Sequence, residues 1–287
     1  MKKRNRFLRV IMILLVVMTV FKTVDFALSE LTDKKAYRDA VPVSEEEWNA
    51  VYQKAVDKET LTDVDYELIF SQTGLGKPAV DKLIAESNVD RIETYREYYL
   101  TDKDYICYRE GVFACHEAIT DGNGERIMNP DFADIQNGDI LITLSIHSLG
   151  WRHGHAAVVV DSERGITAEA VMIGEKSSYG RVNDWKNYPL VAVLRLKDAD
   201  ESVRNEIAEY TDENMLDIYY GLLAGVFWGR NTENIPVTTQ CAHFVWFVYE
   251  KAGIDIDSDG GIVITPKDIL GSENLETVQI YGSILEV

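Results

Sequence analysis

The sequence predicts an α+β fold in which an antiparallel sheet packs on a helix beginning at Cys241, preceded by a helical accessory segment. Three observations carry this expectation. From about Leu31 to Leu100 the chain is polar, charged and helical in period. Beyond residue 105 it changes to short β-rich runs broken by Gly, Asn and Asp. Ala242, Val245, Val248, Tyr249 and Ala252 then recur at helical spacing, as in a helix buried in a core. The expected segments are residues 1–28, residues 29–104 and the main domain, 105–287.

In the first segment Lys2, Lys3, Arg4, Arg6 and Arg9 precede an uncharged run from Val10 to Phe21, the pattern of an export signal. The apolar run is nearer a signal-peptide core than a full span of about 20 residues, and Ala27-Leu28-Ser29 is only a weak cleavage site. The segment is read either as a cleaved signal peptide or as an amino-terminal membrane anchor with the rest of the chain outside.

In the second segment Ser44 followed by Glu47 reads as a capping box, ahead of a stripe formed by Trp48, Val51, Tyr52 and Ala55. Thr62-Asp63-Val64-Asp65 caps a second helix carrying Tyr66, Ile69 and Phe70 and closing at Gly74 and Gly76. Pro78 starts a third, Ala79 to Ile84. These helices read as a stalk or cap without chemistry of their own.

In the third segment the turn Asn137-Gly138-Asp139 leads into Ile140-Leu141-Ile142. Further strands are expected at Ala156–Val160, Ile166–Met172 and Leu190–Leu196, and a helix at Ser202–Asn214. Thr238 or Thr239 is expected to cap the helix from Cys241 to Ala252, which ends at Gly253.

With 46% hydrophobic residues the chain can bury a real core. Its net charge is −19, and because residues 1–28 carry six Lys/Arg against one Asp, the remainder bears −24. Such a surface repels phosphate and excludes nucleic acid as a partner. Of the three cysteines, Cys107 and Cys115 lie close enough in sequence to form a disulfide or to be two buried thiols. Cys241 stands apart.

Cys241 is the candidate nucleophile, because free backbone N–H groups and the helix dipole at a helix start favour a thiolate. Gly154-His155 opens the strand Ala156–Val160, which makes His155 a rigidly held candidate base. Glu169 on the next strand can accept from its second ring nitrogen and fix the tautomer.

The order GDILIT, GHAAVVVD, AEA, QCAHFVWFVYEKAGI resembles the circularly permuted, papain-like branch of the NlpC-type cell-wall cysteine peptidases, in particular its YiiX/YaeF-like group. The resemblance runs from roughly Asn137 to Asp268. It implies a permuted papain-like fold, Cys241 as nucleophile, His155 as base and Glu169 as the orienting residue. Members commonly have a small residue after the cysteine and a Pro-Tyr-Asn-like segment upstream. Here Ala242 follows, and Ile218-Tyr219-Tyr220-Gly221 stands upstream, so Tyr219 or Tyr220 is expected to line the pocket. The Cys241 N–H is the expected oxyanion donor, with the Gln240 side chain or a Tyr hydroxyl as a second. Trp151 and Trp228, each beside a glycine, are expected as cleft walls.

Together with an extracytoplasmic location, the resemblance implies cell-wall peptide as substrate. It also leaves open a lipid amide or ester, in a hydrolase or acyltransferase. No cofactor and no metal is expected. Three other readings remain: a disabled domain that only binds wall fragments or a partner protein, a metal hydrolase using His147, His153 and His155, and a reactive triplet Cys115-His116-Glu117. His243, two positions beyond Cys241, reads as structural.

Overall fold

The computed structural model describes residues 11–24, 27, 40–109, 115–147, 151–224 and 232–282. Residues 11–24 are helical, and four helices follow the next described stretch: α1 (Glu45–Val56), α2 (Asp63–Thr73), α3 (Lys77–Ala85) and α4 (Asp90–Leu100). The Ser44 side chain accepts from the Glu47 N–H to start α1. Thr62 and Asp65 form a reciprocal capping box at α2, which closes on Gly74 in the left-handed conformation. The third and fourth helices start with no capping side chain; α3 has Pro78 in its first turn instead, and α4, after Val89, has neither signal.

Among the described residues no helix is long and apolar enough to cross a membrane. This corrects the expectation of an amino-terminal membrane anchor. The described helical residues 11–24 are fewer than the about 20 apolar residues a span requires, and the basic residues ahead of them lie outside the described residues.

The strands are β1 (Asp104–Arg109), β2 (Cys115–Thr120), β3 (Arg126–Ile127), β4 (Ile140–Thr143), β5 (Ile146–His147), β6 (His155–Asp161), β7 (Ile166–Glu169), β8 (Ser178–Arg181), β9 (Val191–Leu196), β10 (Tyr219–Tyr220), β11 (Thr238–Thr239) and β12 (Leu275–Tyr281). Between them lie the short helix α5 (Val182–Trp185) and the helices α6 (Glu201–Asn214), α7 (Cys241–Lys251) and α8 (Pro266–Leu270). The central sheet has six antiparallel strands in the order β12-β9-β4-β6-β7-β8. A smaller antiparallel sheet joins β1, β2 and β3, with β5 also on β2.

Alternate residues of the central strands enter different cores. Ile140, Ile142, Val158, Ala168 and Leu194 pack with Phe244, Val245, Val248 and Ile207 from α7 and α6. Leu141, Ala157, Val159, Val191 and Val193 pack with Trp48, Ile69, Leu83, Ile92 and Tyr95 from α1 to α4. The sheet is covered on both faces, which is why these strands read as continuous apolar runs rather than as an alternation. The amino-terminal helices, read from the sequence as a stalk or cap, form one of the two covers.

Candidate functional site

Cys241 is the first residue of α7, with Gln240 as its N-cap in extended conformation. The Gln240 side chain accepts from the Ala242 N–H at 2.9 Å, and its carbonyl accepts the first helical bond, from Phe244. Gln240 therefore does the capping expected of Thr238 or Thr239. Those threonines form β11, whose parallel pairing with β10 sets Tyr220 beside Thr239 at the mouth of the helix. The Cys241 N–H lies at the first helical position, where no intrahelical acceptor exists.

His155 is the first residue of β6. Gly154 before it has φ +68°, and a side chain there would stand 2.4 Å from the Thr143 carbonyl. Only glycine lets the chain enter β6 at that angle beside β4. His155 Nε2 lies 2.5 Å from Glu169 Oε2 at the end of β7. With Nε2 so engaged, Nδ1 is the nitrogen left to face the Cys241 side chain, which lines the same cavity. Burial works against a charged ring, but the neighbouring Cys241 and Glu169 outweigh it and raise the His155 pKa to about 10.

These three side chains open into a cavity of about 760 Å³. One wall is Trp185, which stacks on the His155 ring with centroids 5.2 Å apart and planes 10° from parallel. Tyr220 lines the cavity beside Cys241. Burial, then the nearby Cys241, pushes its phenol up, so it stays a neutral donor. Tyr219 is exposed, with Lys176 over its ring, and does not line the cavity. β7 ends at Glu169, short of the expected Met172, and leaves Met172 and Ile173 exposed at the rim.

Comparison with protein-family models, with curated proteins and with solved structures finds no match. The chemistry of the site is therefore read from its own side chains.

Two expected residues are placed otherwise. Gln240 Nε2 donates to the Ile264 carbonyl at 2.7 Å and Oε1 accepts from Ala242, which fixes the amide with its oxygen 3.5 Å from Cys241 Sγ. It caps the helix with its oxygen toward Cys241, and the Tyr220 hydroxyl is the side-chain donor that lines the cavity beside Cys241. Trp151 is 63% exposed, tilts against His153 and is not part of the cavity wall, while Trp228 lies outside the described residues. The wall is Trp185, which sequence spacing does not single out because it reaches His155 from the short helix α5 after β8.

The remaining histidines have separate settings. His147 is fully buried on β5, 3.2 Å from Glu117 Oε1. His153 lines the cavity, and burial lowers its pKa, with the charges of His147, His155 and His116 adding to the effect. His243 faces Thr239 Oγ1 and burial lowers it to about 4, as suits a structural histidine. Cys115 and Glu117 turn to one face of β2 while His116 faces the cavity, so that triplet does not act together. Among the described residues, the one set of side chains with ligand atoms close enough to share a metal is Asp257, Asp259 and Asp268, not the histidines.

Proposed function

We propose that this chain is a cysteine hydrolase of the permuted papain-like, YiiX/YaeF-like kind, cleaving an amide bond through Cys241, His155 and Glu169. The observation that carries the reading is a buried His155 bonded to Glu169 that shares one cavity with Cys241 at a helix start. The Cys241 thiolate attacks the carbonyl carbon, forming a C–S bond and an oxyanion that the Cys241 N–H and the Tyr220 hydroxyl can stabilise. The His155 imidazolium gives its proton to the leaving amine as the C–N bond breaks. Neutral His155 then takes a proton from water, whose oxygen attacks the thioester. The C–S bond breaks and the thiolate–imidazolium pair returns.

Cell-wall peptide is the first substrate class to test, on the sequence resemblance. Export belongs to the same proposal and is supported by the basic residues ahead of the uncharged amino-terminal run. A lipid amide or ester is the second class, and one observation favours it. Met172, Ile173 and Leu222 line the cavity with exposures of 50%, 69% and 61%, an apolar rim suited to an acyl chain.

The test needs no substrate. Iodoacetamide labelling of each cysteine, followed by peptide mass spectrometry across pH, should show Cys241 reacting fast below the ordinary thiol pKa of about 8.5 and slowing in His155→Ala. Turnover is then sought on muropeptides and on N-acyl amides. If Cys241 labels as an ordinary thiol and is indifferent to His155→Ala, the site is not a hydrolase, and a domain that only binds takes its place.

A further inference from the structure

Glu169 does not reach His155 unaided. Its strand β7 pairs with the edge strand β8, with Thr167 opposite Gly180 and Glu169 opposite Ser178. Thr167, Glu169 and Gly180 thus share one face of the sheet. The Thr167 hydroxyl, fully buried, donates to Glu169 Oε1 at 3.3 Å, while the other oxygen, Oε2, meets His155. The carboxylate lies over Gly180. A Cβ built at position 180 would stand 1.7 Å from Glu169 Oε1, 2.8 Å from its carboxyl carbon and 2.7 Å from Thr167 Oγ1.

Two features make this more than tight packing. The backbone at Gly180 is not left-handed, so any residue can adopt it without strain. The atoms a side chain would meet are the ends of Glu169 and Thr167, which move by rotation about single bonds rather than by shifting the strand. A methyl group at 180 therefore leaves the fold in place and displaces the one carboxylate that orients His155.

We propose that Gly180 and Thr167 are positioning residues for the acyl-transfer site: Gly180 leaves the space in which the Glu169 carboxylate lies, and Thr167 holds its far oxygen so that the near one faces His155. The inference rests on the hydrolase reading and goes beyond it. A Glu169 turned away from His155 no longer stabilises the imidazolium, and the thiolate paired with it is less populated at neutral pH.

The experiment measures the rate of iodoacetamide alkylation at Cys241 from pH 5 to pH 10 in wild type, Glu169→Gln, Gly180→Ala, Thr167→Val and Thr167→Ser, with a melting curve for each. The groups facing the His155–Cys241 pair are Glu169 and Tyr220, with His116, His153, Asp184, Arg126, Tyr108 and Tyr188 on the same cavity wall, and none of these is altered except Glu169. In Gly180→Ala the profile should move up by about one pH unit, about tenfold in rate at pH 7, with a melting transition that stays cooperative. Thr167→Val should move it the same way by less, and Thr167→Ser should restore it.

If Glu169→Gln shifts the profile while Gly180→Ala and Thr167→Val leave it alone, the positioning role is wrong and the hydrolase reading stands. If Glu169→Gln leaves it alone as well, both fall together. Should Gly180→Ala not fold, the comparison of Thr167→Val with Thr167→Ser decides.

Discussion

His155 is buried and still holds its proton more tightly than a free imidazole, because Cys241 and Glu169 beside the ring outweigh the cost of burial. The consequence for stability has a definite sign. The unfolded ring titrates near pH 6.5 and the folded one near about 10, so the proton stabilises the fold in full below the first value. That contribution is lost as pH rises through the second. The difference in melting temperature between wild type and His155→Gln should be widest near pH 6 and close as the pH passes about 10. A constant gap would place the extra proton elsewhere. Trp185, stacked on the same ring and 2% exposed, is a second lever. Trp185→Ala should cost about 3–5 kcal/mol in urea unfolding and slow alkylation of Cys241, because the imidazole loses its wall. Cys241, His155 and Glu169 could be picked out of the sequence because each sits at a locally recognisable place: a helix start, a strand mouth after glycine, the adjacent strand. Trp185, Gly180 and the true orientation of Gln240 could not, since their roles arise from neighbours far off in the chain.

At the scale of elements, one buried ion-pair cluster ties helix α3 to the loop before β4 and to the central sheet. Arg195 on β9 donates Nε and Nη2 to the two oxygens of Asp139, both at 2.8 Å, and Nη1 to Asp134 at 2.5 Å; Asp134 also takes Lys82 from α3. Helix α3, the loop before β4 and the centre of the sheet are thereby fixed to one another. Burial pushes Asp139 up to about 6 even with the guanidinium bonded to it. Arg195→Met removes the positive centre and leaves two buried carboxylates, which should cost about 3–5 kcal/mol at pH 8. The loss should be smaller at pH 5, where those carboxylates take up protons, and urea unfolding at the two pH values separates this from a simple packing defect. The helices around this cluster were legible from their caps, as with Ser44 and Thr62, and the strands from their apolar runs. Which strand neighbours which was not, because β4, β6 and β9 all read as the same kind of run.

For the whole molecule the deciding fact is where the second core lies. Trp48, Leu83, Ile92 and Tyr95 from the amino-terminal helices share it with Leu141, Val159, Val193, Val278 and Tyr281 from the sheet. An apolar stripe on a helix says that it will be covered without naming the cover, so from the sequence those helices read as a segment beside the main domain. Removing residues 1–104 would expose the sheet face that carries Leu141, Ala157, Val159, Val191 and Val193, all at most 1% exposed in the whole chain. At about 25 cal/mol per Å² of apolar surface, stripping five such side chains outweighs the few kcal/mol by which a domain of this size is ordinarily stable. The truncated chain should therefore lose its cooperative melt and its near-ultraviolet circular dichroism. The full chain should unfold in urea as one transition, coincident by far-ultraviolet dichroism, which weights the helices, and by tryptophan fluorescence. Two separated transitions, or a truncated chain that still melts sharply with Cys241 reactive toward iodoacetamide, would show that the helices are an accessory after all. The site needs the rigid strand that carries His155, and β6 is rigid only while both of its faces are covered.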